Sequence, residues 1–190
     1  MRYCCFVLER EYDPGKRKYH PVSDACWRRG APVPYLALAR TFQTIEGTSS
    51  RKCTAETLAN YFRSVMVLTP EDLLPSVYMC LNQLAPAYHG LELGIAETYL
   101  MKAVGQCTGM SVGQVRANAR RVGDLGVAAN NARRTQRCMR PPTPLRVRQV
   151  FESLREIARM SGQASVSKKI SKIQTLFTAC RGCEAKFLIR

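Results

Sequence analysis

The chain has 190 residues, of which 46% are hydrophobic, so it is long and apolar enough for one or two folded domains. No apolar run reaches the ~20 residues needed to cross a membrane, and residues 1–6 are too short and interrupted for a secretory signal. These features argue against membrane-spanning and secreted proteins and predict an intracellular one with no membrane partner. A formal net charge of +15 predicts a polyanionic partner, and nucleic acid is the first candidate. An acidic membrane surface is the second candidate, and charge without a specific role is the remaining alternative.

Most of the nine cysteines are scattered singly through helical patterns, which is typical of buried thiols rather than of a disulfide framework. Cys180 and Cys183 have the spacing of a metal or redox pair, but no second pair accompanies them. The two histidines, His20 and His89, are distant in sequence. Because a closed zinc site needs four ligands, we predict no metal site and keep a metal-binding module as an alternative.

The first part of the chain predicts little regular structure. Residues 1–11 show no periodicity and form an unmatched leader without an assigned function. Residues 12–33 are rich in proline, glycine and charge, and predict an extended arm laid over a helical body. Trp27 is its predicted anchor, since so large an aromatic ring is usually buried.

Helical periodicity begins at Pro34 and runs to Gly47. A second helix is predicted to start near Ser50 and to direct inward Leu58, Tyr61, Phe62, Val65 and Met66. Arg51 and Lys52 fall in its first turn, where positive charge is unfavourable unless an anion binds there. Two solvated basic residues are the alternative reading of this turn.

Further helices follow without competing strand patterns. A capped start at Thr69, with Asp72 in the first turn, predicts a helix to about Leu84, and another helix is predicted over residues 96–107. A capping box over residues 111–114 opens a short helix that ends before Gly123. A proline connector at 141–144 divides a first half, residues 34–140, from a second half, residues 145–190.

The second half predicts two amphipathic helices, one ending at Gly162 and one beginning at Ser165. The latter directs inward Ile170, Ile173, Leu176 and Phe177. A last apolar run, residues 185–189, is still open at the end of the chain, so we expect a domain that is incomplete at its C-terminus. The predicted fold is an all-α, compact multi-helix domain.

The stretch from Gly123 to Arg137 organises these predictions. It combines two glycines that allow close backbone approach, Asp124 as a helix cap, and clustered arginines. A phosphate-gripping turn and a surface turn with solvated charge both fit this pattern.

Several motifs together resemble the N-terminal DNA-binding domain of eukaryotic ATP-dependent DNA ligases of the ligase I type. The motifs are YHPVSDACW at 19–27, VPYLALARTF at 33–42, GLELG at 90–94, GDLG at 123–126, SG at 161–162 and KKI at 168–170. The resemblance covers residues 12–190 nearly in register, and the combination is specific although each motif alone is weak.

The resemblance implies a helical domain that sits on the minor groove on either side of a nick and binds duplex DNA through backbone contacts. In that family a lysine of a K-x-D-G motif takes AMP from ATP, with Mg as the metal, and an OB-fold follows. This chain contains no K-x-D-G. We therefore expect no catalytic residue, no cofactor in this chain and no ligase activity from it alone.

The resemblance, applied position by position, implies a surface that contacts DNA. Its residues lie at helix starts, lie in glycine turns or carry positive charge, and they are Arg51, Gly123, Asp124, Gly126, Arg133, Thr135, Gly162, Ser165, Ser167, Lys168 and Lys169. Two departures raise the local charge, because Arg120 replaces an acidic position of the family pattern and Arg134 a small polar one.

We therefore hypothesise that the chain is the DNA-binding part of an ATP-dependent ligase that acts in replication, repair and recombination. Its expected partners are nicked or intact duplex DNA and the adenylation and OB-fold domains of the whole ligase. The expected location is the nucleus, with the mitochondrion as the alternative. The competing hypothesis is a non-enzymatic helical module that binds proteins or a metal.

Overall fold

A computed structural model describes residues 12–135, 143–162 and 165–190. Within these ranges the chain forms α-helices and two short 3₁₀ helices, Pro70–Asp72 and Ala87–His89, and no strand beyond an isolated antiparallel bridge between Pro34 and Arg146. The α-helices in chain order are α1 Tyr35–Glu46, α2 Arg51–Leu68, α3 Leu73–Cys80, α4 Glu97–Thr108, α5 Val112–Val122, α6 Leu125–Thr135, α7 Val147–Arg159, α8 Ser165–Ala179 and α9 Glu184–Ile189. The all-α prediction is confirmed. No helix in the described part of the chain has the length and apolar character to span a bilayer.

The described residues group into two compact units. The first contains the described residues up to Asn82 together with Arg146–Gln149. The second contains those of Gln83–Leu145 and Val150–Arg190. The first two prolines of the predicted connector lie outside the described residues, so a boundary at that connector stays a prediction.

In the first unit, residues 12–33 lie against α2 through aromatic and polar contacts. Trp27 is 6% exposed and contacts Tyr12 edge-on and Tyr61 at a tilt, with ring centroids 6.1 and 6.4 Å apart, so its predicted burial is confirmed. The Asn60 amide donates to the carbonyl of Pro14 at 2.9 Å. Such contacts order a segment that has no regular backbone hydrogen bonding of its own.

The 69–84 segment differs from its prediction. The Thr69 hydroxyl donates to the carbonyl of Ala31 instead of capping a helix, and α3 ends at Cys80. Asp72 is buried: it accepts the Val33 N–H at 2.8 Å and pairs with Arg148 at 2.9 Å. The Thr69 hydroxyl and the Asp72 carboxylate, which the local pattern assigned to a helix start, thus form hydrogen bonds with distant residues instead.

The inward face of α2 is also narrower than predicted. Tyr61 and Val65 are fully buried, but Met66 is 49% exposed. A helix turns 100° per residue, so a side chain next to a buried one lies at the edge of the apolar stripe, and local packing decides its exposure.

In the second unit α4 packs against α8 and α5, while α6 packs against α5 and α9. The capping box is confirmed, since Ser111 and Gln114 exchange side-chain and backbone hydrogen bonds at 2.9 and 3.2 Å. All four predicted inward residues of α8 are buried.

Candidate nucleic-acid interface

The GDLG turn, residues 123–126, joins α5 to α6. Gly123 has φ +82° and donates its N–H to the carbonyl of Ala119, which closes α5 in the left-handed conformation that glycine tolerates best. Asp124 then accepts the Val127 N–H at 2.6 Å and caps α6, as predicted. The turn therefore holds two helices at a fixed junction.

The same turn contacts the C-terminal helix. Arg190 pairs with the Asp124 carboxylate at 2.8 Å, and a methyl group added to Gly126 would overlap the carbonyl oxygen of Lys186. Partial burial works to raise the pKa of Asp124, but the Val127 N–H and Arg190 outweigh it and hold that pKa below its usual value. Asp124 and Gly126 thus have roles inside the second unit, and a DNA contact by either stays a prediction.

The C-terminal end of α6 carries the positive side chains predicted to grip a phosphate backbone. Arg133 is half-buried and donates to the carbonyl of Thr178 at 2.7 Å, so part of its hydrogen-bonding capacity serves the end of α8. Arg134 and Thr135 are exposed, and Thr135 donates to the carbonyl of Ala132. Positive side chains suit this end of a helix because its free carbonyls are partially negative.

The start of α8 gathers five of the predicted site residues. Gly162 has φ +95°, and its carbonyl accepts the N–H of Ser165, the first residue of α8, at 3.0 Å. Ser167 and Lys168 are exposed, and the first turn contains no acidic residue. The Lys169 ammonium donates to the carbonyl of Leu93 at 3.3 Å.

A small cleft of about 50 Å³ lies beside this helix start, lined by Gly94, Ser165 and Lys169 among others. Lys169 links α8 to the GLELG segment at one side of it, while Lys168 makes no ion pair within the described ranges. The partially positive end of a helix beside two lysines is an arrangement that favours a bound anion.

Arg51 lies in the first unit at the start of α2. Ser50 caps this helix by accepting the Cys53 N–H at 3.4 Å, as predicted. Arg51 is exposed and has no acidic partner among the described residues, whereas Lys52 approaches Glu56 at 4.0 Å. The helix start thus leaves Arg51 available to an external anion.

Sequence reasoning noted the added charge of Arg120 but missed two features of the second unit. Arg116 and Arg120 are exposed, lie one helical turn apart on α5, and have no acidic partner in the described part of the chain. Their i, i+4 spacing was the available signal for a shared basic face. The pairing of Arg190 with Asp124 had no such signal, because it joins residues that are far apart in the sequence.

The Cys180 and Cys183 pair is buried at the end of α8. Burial raises the pKa of the Cys180 thiol, which donates to the carbonyl of Leu176 at 3.3 Å. No three His, Cys, Asp or Glu side chains in the described ranges lie together as metal ligands would.

Comparison with known proteins gives consistent matches. The family described as DNA ligase N terminus matches residues 34–190. DNA ligase 1 of Drosophila melanogaster is 51% identical over 179 residues, which are 94% of this chain and 23% of that protein. DNA ligase 1 of Dictyostelium discoideum is 44% identical over 91% of this chain and 14% of that protein. DNA ligase 1 of Saccharomyces cerevisiae is 40% identical over 83% of this chain and 21% of that protein.

This chain therefore spans less than a quarter of the length of each of these relatives. The family match covers most of the chain, from the start of the first helix to the last residue, and the helical fold agrees with it. The chain belongs to the DNA ligase family, as its N-terminal domain.

Proposed function

We propose that this chain binds duplex DNA, nicked DNA in particular, through phosphate and minor-groove contacts as the DNA-binding part of an ATP-dependent ligase. The observation that carries the proposal is the start of α8, where two serines and two lysines lie within five residues, Ser165 to Lys169, and the first turn contains no acidic residue. Positive charge beside the positive end of a helix is unfavourable, and a bound phosphate removes that cost.

The charge of the whole chain supports the same partner. A net charge of +15 attracts polyanions over long distances, and the proposed contacts are of the kind that hold DNA without reading its sequence. Arg51, Arg116 and Arg120 add exposed positive charge, and none of them forms an ion pair with an acidic side chain among the described residues. Binding is therefore led by the phosphate backbone and independent of sequence.

In the whole protein this domain serves ligation in replication, repair and recombination. It holds the nicked duplex while the adenylation and OB-fold domains carry out the chemistry with ATP and Mg. The chain itself has no K-x-D-G motif, so incubation with labelled ATP is expected to give no protein–AMP adduct. The nucleus is the proposed location, with the mitochondrion as the alternative.

Fluorescence anisotropy with a labelled nicked duplex tests the proposal. Affinity is expected to fall at least about a hundredfold between 50 and 200 mM salt, because each neutralised phosphate releases counterions. An intact duplex of the same length and a duplex of unrelated sequence serve as controls for nick and sequence preference. No binding at low salt, or an affinity that does not change with salt, would refute the proposal.

A further inference from the structure

A surface groove of about 380 Å³ lies in the first unit and shares no lining residue with the helix starts described above. It is bounded by residues of the 22–29 segment and by the end of α2. Cys26 and Trp27 are buried members of its lining, whereas Val22 and Val67 are 49% and 44% exposed. Exposed apolar side chains gathered along a groove are typical of an interaction site.

Two hydrogen bonds lie beside the groove. Gly30 donates its N–H to the carbonyl of Leu68 at 2.8 Å, and the Thr69 hydroxyl donates to the carbonyl of Ala31 at 2.6 Å. These contacts fasten the segment that follows the groove to the end of α2. A partner would therefore meet a preformed surface and lose little free energy in ordering it.

Charge indicates what kind of partner fits. Arg28 and Arg29 line the groove, are exposed, and form no ion pair among the described residues. The nearby carboxylate of Asp24 is already occupied by Lys16 at 2.6 Å. The groove therefore presents apolar side chains together with two unneutralised positive charges.

We propose that this groove binds an acidic peptide segment of a partner protein, with one bulky apolar side chain of the peptide lying between Val22 and Val67 and its carboxylates facing Arg28 and Arg29. A phosphate backbone has no apolar side chain to place there, so the valines favour a peptide over DNA. The arginines favour acidic flanking residues, since complementary charge guides and selects a partner. The inference does not depend on the proposed DNA binding because it rests on different residues.

Binding can be measured with labelled synthetic peptides in which Asp and Glu flank a single Leu, Met or Phe. Anisotropy reports binding, and the emission of Trp27, the single tryptophan of the chain, reports occupancy of the groove. Replacing the central residue with Ser is expected to weaken binding at least about tenfold, because the peptide then has no large apolar side chain to bury. Peptides flanked by Lys are expected not to bind.

Variants of the full 190-residue chain locate the site. Reversing both charges with Arg28→Glu and Arg29→Glu is expected to weaken peptide binding about tenfold, and less at high salt. Arg17→Glu with Lys18→Glu, a matched change at exposed residues outside the groove, is expected to leave binding unchanged. Val22→Ser with Val67→Ser should weaken binding, whereas Leu74→Ser, at an exposed apolar residue elsewhere, should not.

Circular dichroism checks that each variant keeps its helices. The proposal is overturned if none of the acidic peptides binds, if the groove variants and their controls lose affinity equally, or if duplex DNA displaces the peptide and shifts Trp27 emission. The last result would assign the groove to nucleic acid instead.

Discussion

Asp124 joins two kinds of contact in one side chain. One carboxylate oxygen caps α6 by accepting the Val127 N–H, and the other pairs with Arg190 beyond the end of α9. The first contact is local and follows from the sequence pattern. The second fixes the end of α9 to the turn that also carries Gly126, so the GDLG motif has a packing role in this unit.

Two substitutions separate these contacts. Asp124→Asn keeps a capping oxygen and is expected to cost about 0.5 kcal/mol, because an exposed ion pair contributes little. Asp124→Ala removes the cap as well and is expected to cost about 1–2 kcal/mol. Urea unfolding followed by circular dichroism measures both values.

The pH dependence of the unfolding free energy tests whether the charge of Asp124 causes the difference between wild type and Asp124→Asn. The folded-state pKa of Asp124 is lowered, so its charge stabilises the fold above the ordinary carboxyl pKa of about 4, and this contribution is lost as pH falls through the lowered value. The difference between wild type and Asp124→Asn is therefore expected to shrink as pH falls below about 4. A difference that stays constant over that range would show that the carboxylate charge does not stabilise the fold.

At the scale of a helix, the start of α8 is the element on which the proposed function depends most. The apolar side of this helix consists of four buried residues, which pack inside the second unit. Its first turn instead presents Ser167 and Lys168 to solvent, and Lys169 reaches back to the GLELG segment. Packing explains the apolar residues of this helix, and the hydrogen bond to Leu93 gives Lys169 a contact within the unit, but neither explains Lys168.

Replacing Lys168 and Lys169 with alanine is expected to lower the slope of log affinity against log salt by about two units, because each lysine is proposed to neutralise one phosphate. Anisotropy with duplex DNA over a salt series measures the slope. Arg17→Ala with Lys18→Ala removes the same charge from exposed residues of the arm and is expected to change the slope less. If the slope changed equally in the two double variants, Lys168 and Lys169 would contribute only to the overall charge and would not contact phosphates specifically.

Across the molecule, Asp72 shows how distant parts of the chain are held together within the first unit. It accepts the Val33 N–H at the entrance to α1 and pairs with Arg148 at the start of α7. Its side chain is 2% exposed, while that of Arg148 is 45% exposed. Breaking either contact would leave a buried polar group without a hydrogen-bond partner. A substitution at Asp72 is therefore costly.

Asp72→Ala is therefore expected to destabilise the chain by about 2–4 kcal/mol, measured by urea or thermal unfolding. Glu71→Ala, at the exposed neighbouring residue, is expected to change stability by no more than about 0.5 kcal/mol. If the two substitutions had similar effects, the ion pair and the hydrogen bond of Asp72 would not contribute to stability as proposed.

The amino-acid sequence by itself determined the helical class, most helix boundaries and the family. Caps such as Ser50 and Ser111, the glycine at 123, and the apolar spacing of α8 are local signals that act within one or two turns. The family was readable because several weak motifs occur together in one order.

Interactions between residues far apart in the chain could not be predicted in this way. The sequence pattern placed Asp72 at a helix start and Met66 inside, whereas packing buried the first and exposed the second. It also assigned the GDLG turn to DNA without indicating that Arg190 and Lys186 lie against it. A local pattern specifies which faces of a helix are apolar, but the partner of each polar group depends on which segments meet when the chain folds.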